Sequence, residues 1–492
     1  MTRRALLLGA TAGIGALAGR GCLVSSSYPG PSFPELPSPG AAGILDDASG
    51  LSPTPIASHI TINEDARDAA VERIRAALAE ARTARRPFIA GAARHSMGGQ
   101  SLARNGTVAT FDQQLLEADT ARKTYRVAAG TRWSTVIQKL DRVGFSPAVM
   151  QSNNDFGVAS TFSVNAHGWP VPFSGCGSTV RSMTMVLADG SVVTCSRSEN
   201  VDLFRHAMGG YGLFGVIVDL ELDMQPNALL SPRFEEMSGL EIGARFAQEL
   251  ASDKTIQMAY GRMDVALDRF FERALLITYR PSSESEIPAA TGSGFRSHAS
   301  RYLFRAQVES DRAKRFRWWT EAGIGPRIAG DATRNTLMNE PVITLDDRDP
   351  SRTDILHEYF VAPGRFAEFV QACQAVIPAS YQQLLNITLR FVDTDHDSVL
   401  AYAPEPRIAA VVLFSQEKTV RGENDMAHMT RALIERVLDI GGTYYLPYRP
   451  HASLAQLSRG YPHAAAFAAA KRAADPDLSF RNALWDDYFA TL

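Results

Sequence analysis

A run of small residues closing on an imidazole, Gly91-Ala92-Ala93-Arg94-His95-Ser96, with Gln100 and Ser101 just beyond, could hold an anion and set a nucleophile beside it. Only small side chains let backbone N–H groups close in on phosphate oxygens. One such loop can equally be a tight turn whose histidine bonds locally. Two further segments share its character. Residues 157–168 read GVASTFSVNAHG, and residues 208–218 place four glycines ahead of a β-branched strand. Three such segments together read as walls of one elongated ligand site, where bulky side chains would collide with the ligand.

The surrounding patterns supply elements to position these loops. Val71, Ile74, Leu78 and Ala81 recur at spacings of three and four, which predicts a helix opening near Asn63 and leading to a strand over 88–90, a β-α-β unit. A strand is expected over 125–129. A helix carrying Trp133, Ile137 and Leu140 should follow, capped by Thr131 and stopped by Gly144. Residues 180–195 read as a hairpin turning at Asp189-Gly190. From about Phe234 strand-like runs (274–279, 355–361, 384–392, 408–414) alternate with helical ones (364–376, 425–438), predicting an antiparallel sheet with helices on one face. Residues 282–300 are Ser/Gly-rich and expected as a surface loop, and Trp318-Trp319, in a charged helix, could cover a cleft.

A chain of 492 residues is too long for one core. The 50 Lys+Arg against 53 Asp+Glu leave no basic field for nucleic acid. Four cysteines without C-x-x-C spacing indicate neither a zinc site nor a disulfide framework, and no metal is expected. Arg3-Arg4 ahead of an uncharged apolar run, followed by Ala16-Leu17-Ala18, reads as a signal peptide of the twin-arginine kind over 1–23, too short for a membrane span. Cys22 is an alternative lipidation site in a poor context. The protein is expected to be exported, periplasmic or secreted, with no transmembrane span once the signal is removed. Residues 24–50, rich in Ser, Pro and Gly, read as a linker.

The order of these pieces resembles the flavin-binding domain of the vanillyl-alcohol oxidase / p-cresol methylhydroxylase (PCMH-type) family. The carriers are GAARHSMGGQS (91–101), GVASTFSVNAHG (157–168), VRSMTMVLADGSVVTC (180–195) and GGYGLFGVI (209–217). RPHASL (449–454) and DPDLSFRN (475–482) resemble the C-terminal segments of the aldonolactone and alditol oxidase branch. The resemblance implies an α+β protein: a two-subdomain FAD-binding domain over 51–230, a substrate domain over 231–450 with a large antiparallel sheet and covering helices, and a segment over 451–492 returning to the first domain. It implies bound FAD, with 91–94 around the pyrophosphate and His95 beside the dimethylbenzene edge, either linked to the flavin 8α carbon or in non-covalent contact. It extends the cofactor contacts to Ser96, Gln100, Asn154, Gly157, Ser160, Thr161, Asn165, Gly168, Gly215, Ile217 and Asn482. Ser152-Asn153-Asn154 stands where doubly linked members have cysteine, so a second link is not expected, and Cys176 reads as a buried thiol. Ala93 and Ala159-Ser160 depart from the family's glycines and imply a shifted cofactor backbone.

In the substrate domain the resemblance places Arg390 near the flavin N1–C2 edge and His451 as first candidate base, with Glu358 and Tyr445 as second choices. The glutamate that relatives carry two places before the arginine is Thr388 here, which puts their polyol-binding mode in question. Arg390 has a second reading as an interdomain ion pair. The expected reaction is oxidation of a CH–OH substrate such as a sugar lactone or polyol, with oxygen or a redox carrier as electron acceptor. Reduction of a C=C bond and a non-catalytic flavin-fold binding protein are the alternatives.

Overall fold

Helix Arg67–Thr83 forms where the apolar spacing predicts, burying Ala70, Val71, Ile74, Ala77, Leu78 and Ala81 on one face. Its N-cap is Ala66 rather than Asn63, and the nearby Asp65 carboxylate instead accepts from Gln114 and Leu115 N–H of the next segment. The computed structural model describes residues 43–284, 286–291, 304–340 and 349–492. The signal peptide, Cys22, most of the linker and part of the 282–300 loop lie outside them.

Helix Arg67–Thr83 joins two strands of a small parallel sheet, with Thr107–Phe111 between Ser58–Ile62 and Phe88–Gly91. A six-stranded antiparallel sheet stands beside it. The Val180–Val186 and Val192–Ser196 hairpin lies at one edge and pairs with Val216–Pro226, then Thr124–Ala128 and Leu116–Asp119 follow. Helix Trp133–Asp141 buries Trp133, Val136, Ile137 and Leu140. Its N-cap is Arg132 rather than Thr131, with no side-chain cap bond, and the Thr131 hydroxyl donates instead to Leu115 O at 3.0 Å.

The expected large antiparallel sheet is present with eight strands, from Ala332–Thr333 through Leu229–Ser238, Arg273–Pro281, Met258–Met263, Gln383–Val392, Arg407–Glu417 and Arg352–Val361 to Thr443–Tyr444. Strand alternation decides which residues meet the site. On Arg352–Val361, Ile355 and Tyr359 join the core, while His357 reaches Thr430 of helix Val420–Asp439. Leu356 and Glu358 face the opposite way, into a cleft. Register puts Val411 opposite both Glu358 and Thr388, and Thr388 opposite Arg262, so one row of side chains crosses four strands. Helix Val420–Asp439 is stopped at its start by Thr419, whose hydroxyl accepts from Gly422 N–H. It packs Met426, Met429, Leu433, Ile434 and Val437 on the sheet, each fully buried aliphatic contributing about 1.5–3 kcal/mol.

Three sequence expectations need correction. Ordered chain begins before residue 51: Ile44–Leu45 pairs with Thr54–Pro55, and the buried Asp47 carboxylate accepts from Gly99 N–H at 2.8 Å. Residues 157–168 are not all loop, because Val158–Ser163 is a short helix. Trp318 is buried in the core and Trp319 is exposed, and neither lines the cleft. Residues 475–482 do return to the first domain: Phe480 bridges Phe88 at the free edge of the parallel sheet, and Phe88 N–H donates to Ser479 O at 2.7 Å.

Candidate active site

All three small-residue segments open on one cleft between the two domains. Gly91, Ala92, Ala93, Arg94, His95, Ser96, Gln100 and Ser101 form one wall, Gly157, Ser160 and Thr161 a second, and Tyr211 and Gly212 continue it. The walls touch because they lack bulk: a β-carbon on Gly157 would stand 2.7 Å from that of Ala92. The cleft encloses about 1170 Å³ counted out to its open mouth.

His95 stacks on Phe156 with ring centroids 4.3 Å apart. Burial pushes its imidazole below the ordinary histidine range, against the raising influence of Asp155. A neutral ring with a free nitrogen lone pair therefore faces the cleft at neutral pH.

The substrate-domain wall carries Leu356, Glu358, Arg390, Val411, Tyr445 and Tyr448. Glu358 accepts from His167 Nε2 at 2.5 Å and from the Tyr448 hydroxyl at 3.3 Å. Arg390 donates to His167 O at 3.0 Å and to Ser152 Oγ at 2.7 Å. No ion pair of Arg390 occurs among the described residues, so its interdomain bonds are to neutral oxygens. Burial holds His167 below the usual histidine range despite Glu358, and pushes the Tyr448 phenol well up, with the Glu358 charge adding to it. Tyr445 lines the cleft, but its hydroxyl is committed to Val164 O at 2.6 Å. Thr388 lies beyond the cleft and accepts from Arg262. Sequence reasoning missed His167 and Tyr448. The one available signal was a histidine inside a small-residue segment.

Several expected contacts are not brought to the cleft. Asn154 donates to Asn339 Oδ1, and Asn165 is spent on Asp395 and on Gly177 N–H. Gly168 packs against Met150, Gly215 against Met185 and Val186, and Ile217 lies in a strand paired with Met185. Asn482 donates to Gln100 O and Tyr211 O, bracing two cleft walls from behind. Gln100 is itself a brace, its amide donating to Leu446 O and Tyr448 O. Ala159 is buried in the core, so its extra β-carbon takes no room from the cleft, whereas Ala93 does line it. Cys176 is buried and its thiol pushed up to about 12.

The principal correction is His451, which does not line the cleft. Its Nε2 meets Glu423 Oε1 at 3.0 Å, and Arg449 clamps the same carboxylate at 2.6 Å. The reason is the Ser453 capping box that starts helix Leu454–Gly460, together with Arg431, which donates to His451 O at 2.6 Å. Burial alone would raise the Glu423 carboxyl, but the His451 hydrogen bond and the Arg449 charge hold it well below the usual range. A depressed folded value contributes stability that is present above the unfolded glutamate pKa of about 4.3 and is lost as pH falls through the folded value. Glu423→Gln should therefore cost about 1.5–3 kcal/mol at pH 7, and the gap should narrow markedly at pH 3. Denaturant melts at the two pH values check this, and an equal gap at both would refute it.

With this geometry in view, comparison with known proteins identifies the class. Residues 68–196 match the family of FAD binding domains. Cytokinin dehydrogenase 9 of Oryza sativa subsp. japonica is 30% identical over 139 residues, covering 27% of this chain and 26% of that protein. L-gulonolactone oxidase of Mus musculus is 27% identical over 113 residues, covering 23% and 26%. These matches thus span about a quarter of each relative's length. A solvent-stable cholesterol oxidase superimposes with a TM-score of 0.66 at 15% identity, covering 90% of this chain and 97% of that one. The protein is a flavin-binding one. Residues 68–196 carry an FAD binding domain, and the chain shares its overall fold with that cholesterol oxidase.

The residues present fit FAD. The cleft is long and small-walled, a neutral imidazole stands in it, and Ser101 Oγ on its wall is buried without a partner among the described residues. No helix of the described residues is long and apolar enough to cross a membrane.

Proposed function

We propose that the protein is an FAD-dependent oxidoreductase that oxidises a CH–OH carbon, of the kind found in sugar lactones and polyols. The observation that carries this reading is the meeting of the three small-residue walls, His95 and the Glu358–His167–Arg390 group on one cleft. Bound flavin supplies a two-electron acceptor for hydride. The walls 91–96 and 157–161 would hold the cofactor, and Arg390 would offer positive charge where negative charge develops. The buried polar group holds the hydroxyl and its proton, and the tyrosines around it keep water out. Similarity to a lactone oxidase supports the substrate class. Oxygen or a redox carrier would take the electrons onward. Residues 1–23 are proposed to export the folded, cofactor-loaded protein. Yellow purified protein that bleaches on adding a lactone or polyol supports the reading, and colourless protein that takes up no FAD would refute it.

We also propose a bond from a His95 ring nitrogen to the flavin 8α carbon: the 8α C–H would lose a proton, the neutral imidazole would add to that carbon and give up its N–H proton, and the two electrons left on the flavin would pass to oxygen or the redox carrier. Acid precipitation should leave yellow colour in the pellet, and His95→Ala should move it to the supernatant. Colour wholly in the supernatant of the wild type would exclude the link.

A further inference from the structure

His167 and Glu358 belong to different domains and stand 191 positions apart in the chain, yet their side chains are each 2% exposed and in contact at 2.5 Å. Facing a carboxylate oxygen at that distance, Nε2 is the nitrogen that carries hydrogen, which leaves Nδ1 as a bare lone pair. Nδ1 is buried and has no partner among the described residues. Neither has Nε of Arg390, whose other two nitrogens are spent on His167 O and Ser152 Oγ. Two residues that line one cleft, with the guanidinium of one bonded to the backbone carbonyl of the other, thus hold one acceptor and one donor unused. Phe360, Tyr402 and Tyr445 pack around the imidazole at centroid distances of 5.5, 5.8 and 6.2 Å, so the ring cannot swing to satisfy itself elsewhere. The backbone before it is also pinned, since Tyr402 and Tyr445 hydroxyls donate to Asn165 O and Val164 O.

We propose that His167 Nδ1 accepts the hydroxyl proton of the substrate, that Glu358 is the positioning residue that fixes its tautomer, and that Arg390 Nε donates to the same substrate oxygen. The assignment rests on the alcohol-oxidising reading above and sharpens it. A hydroxyl both donates and accepts, which suits one bare lone pair and one free N–H. A protonated amine offers donors only and would meet the guanidinium as a like charge, so the pair selects alcohols over amines. In the step, the O–H bond breaks and its proton goes to Nδ1. The oxygen electron pair would form the C=O bond as the C–H pair departs with hydrogen as hydride, the species for which FAD, when bound, would be the two-electron acceptor. The imidazolium so formed is countered by Glu358, and Arg390 keeps its bond to the product carbonyl.

The test uses flavin-loaded protein and His167→Gln, whose amide can still donate to Glu358 but is no base. Flavin content and Tm should match the wild type, bleaching by an alcohol that bleaches the wild type should slow about a hundredfold, and the acid limb of the pH–rate profile should vanish. Nitrogen NMR of 15N-histidine wild-type protein at pH 7 should show this ring protonated at Nε2 and bare at Nδ1, a readout that survives even if the variant does not fold. A ring protonated at Nδ1, or a variant with wild-type rate and profile, overturns the assignment while leaving the oxidase reading intact. Yellow protein that dithionite reduces but no alcohol bleaches overturns both.

Discussion

Arg390→Met should slow reduction of the bound flavin by its alcohol substrate about 10²–10³-fold while leaving the flavin bound. That is the usual cost of removing one preorganised donor from a buried site where charge develops. Strand Gln383–Val392 aims the guanidinium into the cleft, and register with Arg407–Glu417 fixes the row it occupies, opposite Ala409. His167 O and Ser152 Oγ hold two of its nitrogens, so no reorganisation is needed at the moment of reaction. Methionine keeps the stem's volume and removes charge and donors together. Stopped-flow absorbance of flavin bleaching checks the rate, and redox titration of the flavin should show a lowered potential. A rate within threefold of the wild type at equal flavin content would remove Arg390 from the chemistry.

Gly168→Ala should prevent accumulation of folded protein or lower its stability by about 3 kcal/mol or more. A β-carbon there would stand 1.8 Å from the Met150 carbonyl oxygen and 3.0 Å from its carbon. Both are backbone atoms and cannot rotate away, which places the change at or beyond the upper end of overpacking costs. The displacement would fall beside His167 and break its 2.5 Å contact with Glu358. Thermal melts and flavin content check this together, and wild-type values for both would show that the backbone yields freely.

The legible part of the molecule is the part that local patterns determine. Helix Arg67–Thr83, the hairpin through Asp189-Gly190 and the main strands of the eight-stranded sheet follow from spacing alone, because a period of 3.6 or 2 is set by neighbours in the chain. The small-residue walls were legible for the same reason, since a lack of bulk is visible residue by residue. What stayed hidden depends on partners far away. His167 reads as one residue in a small segment until the fold brings Glu358 to it. His451 reads as a site histidine until Glu423, from a helix that the pattern at 425–438 only partly marked, takes its ring. Asn482 looked like a cofactor contact because it stands at the right place, but its amide serves the loops that form the site.

Asn482 has a further bearing on how the protein matures. Its amide ties carbonyls of residues 100 and 211, the first of them 382 positions earlier in the chain. Contacts of such long range close late, because the chain between them must be ordered first. A ribosome-bound chain whose first domain has already emerged therefore still lacks the tie across its two walls. A chain cut before Asn482 would lack this brace, so truncated protein is expected to retain less flavin than the full chain, as flavin absorbance per protein would show.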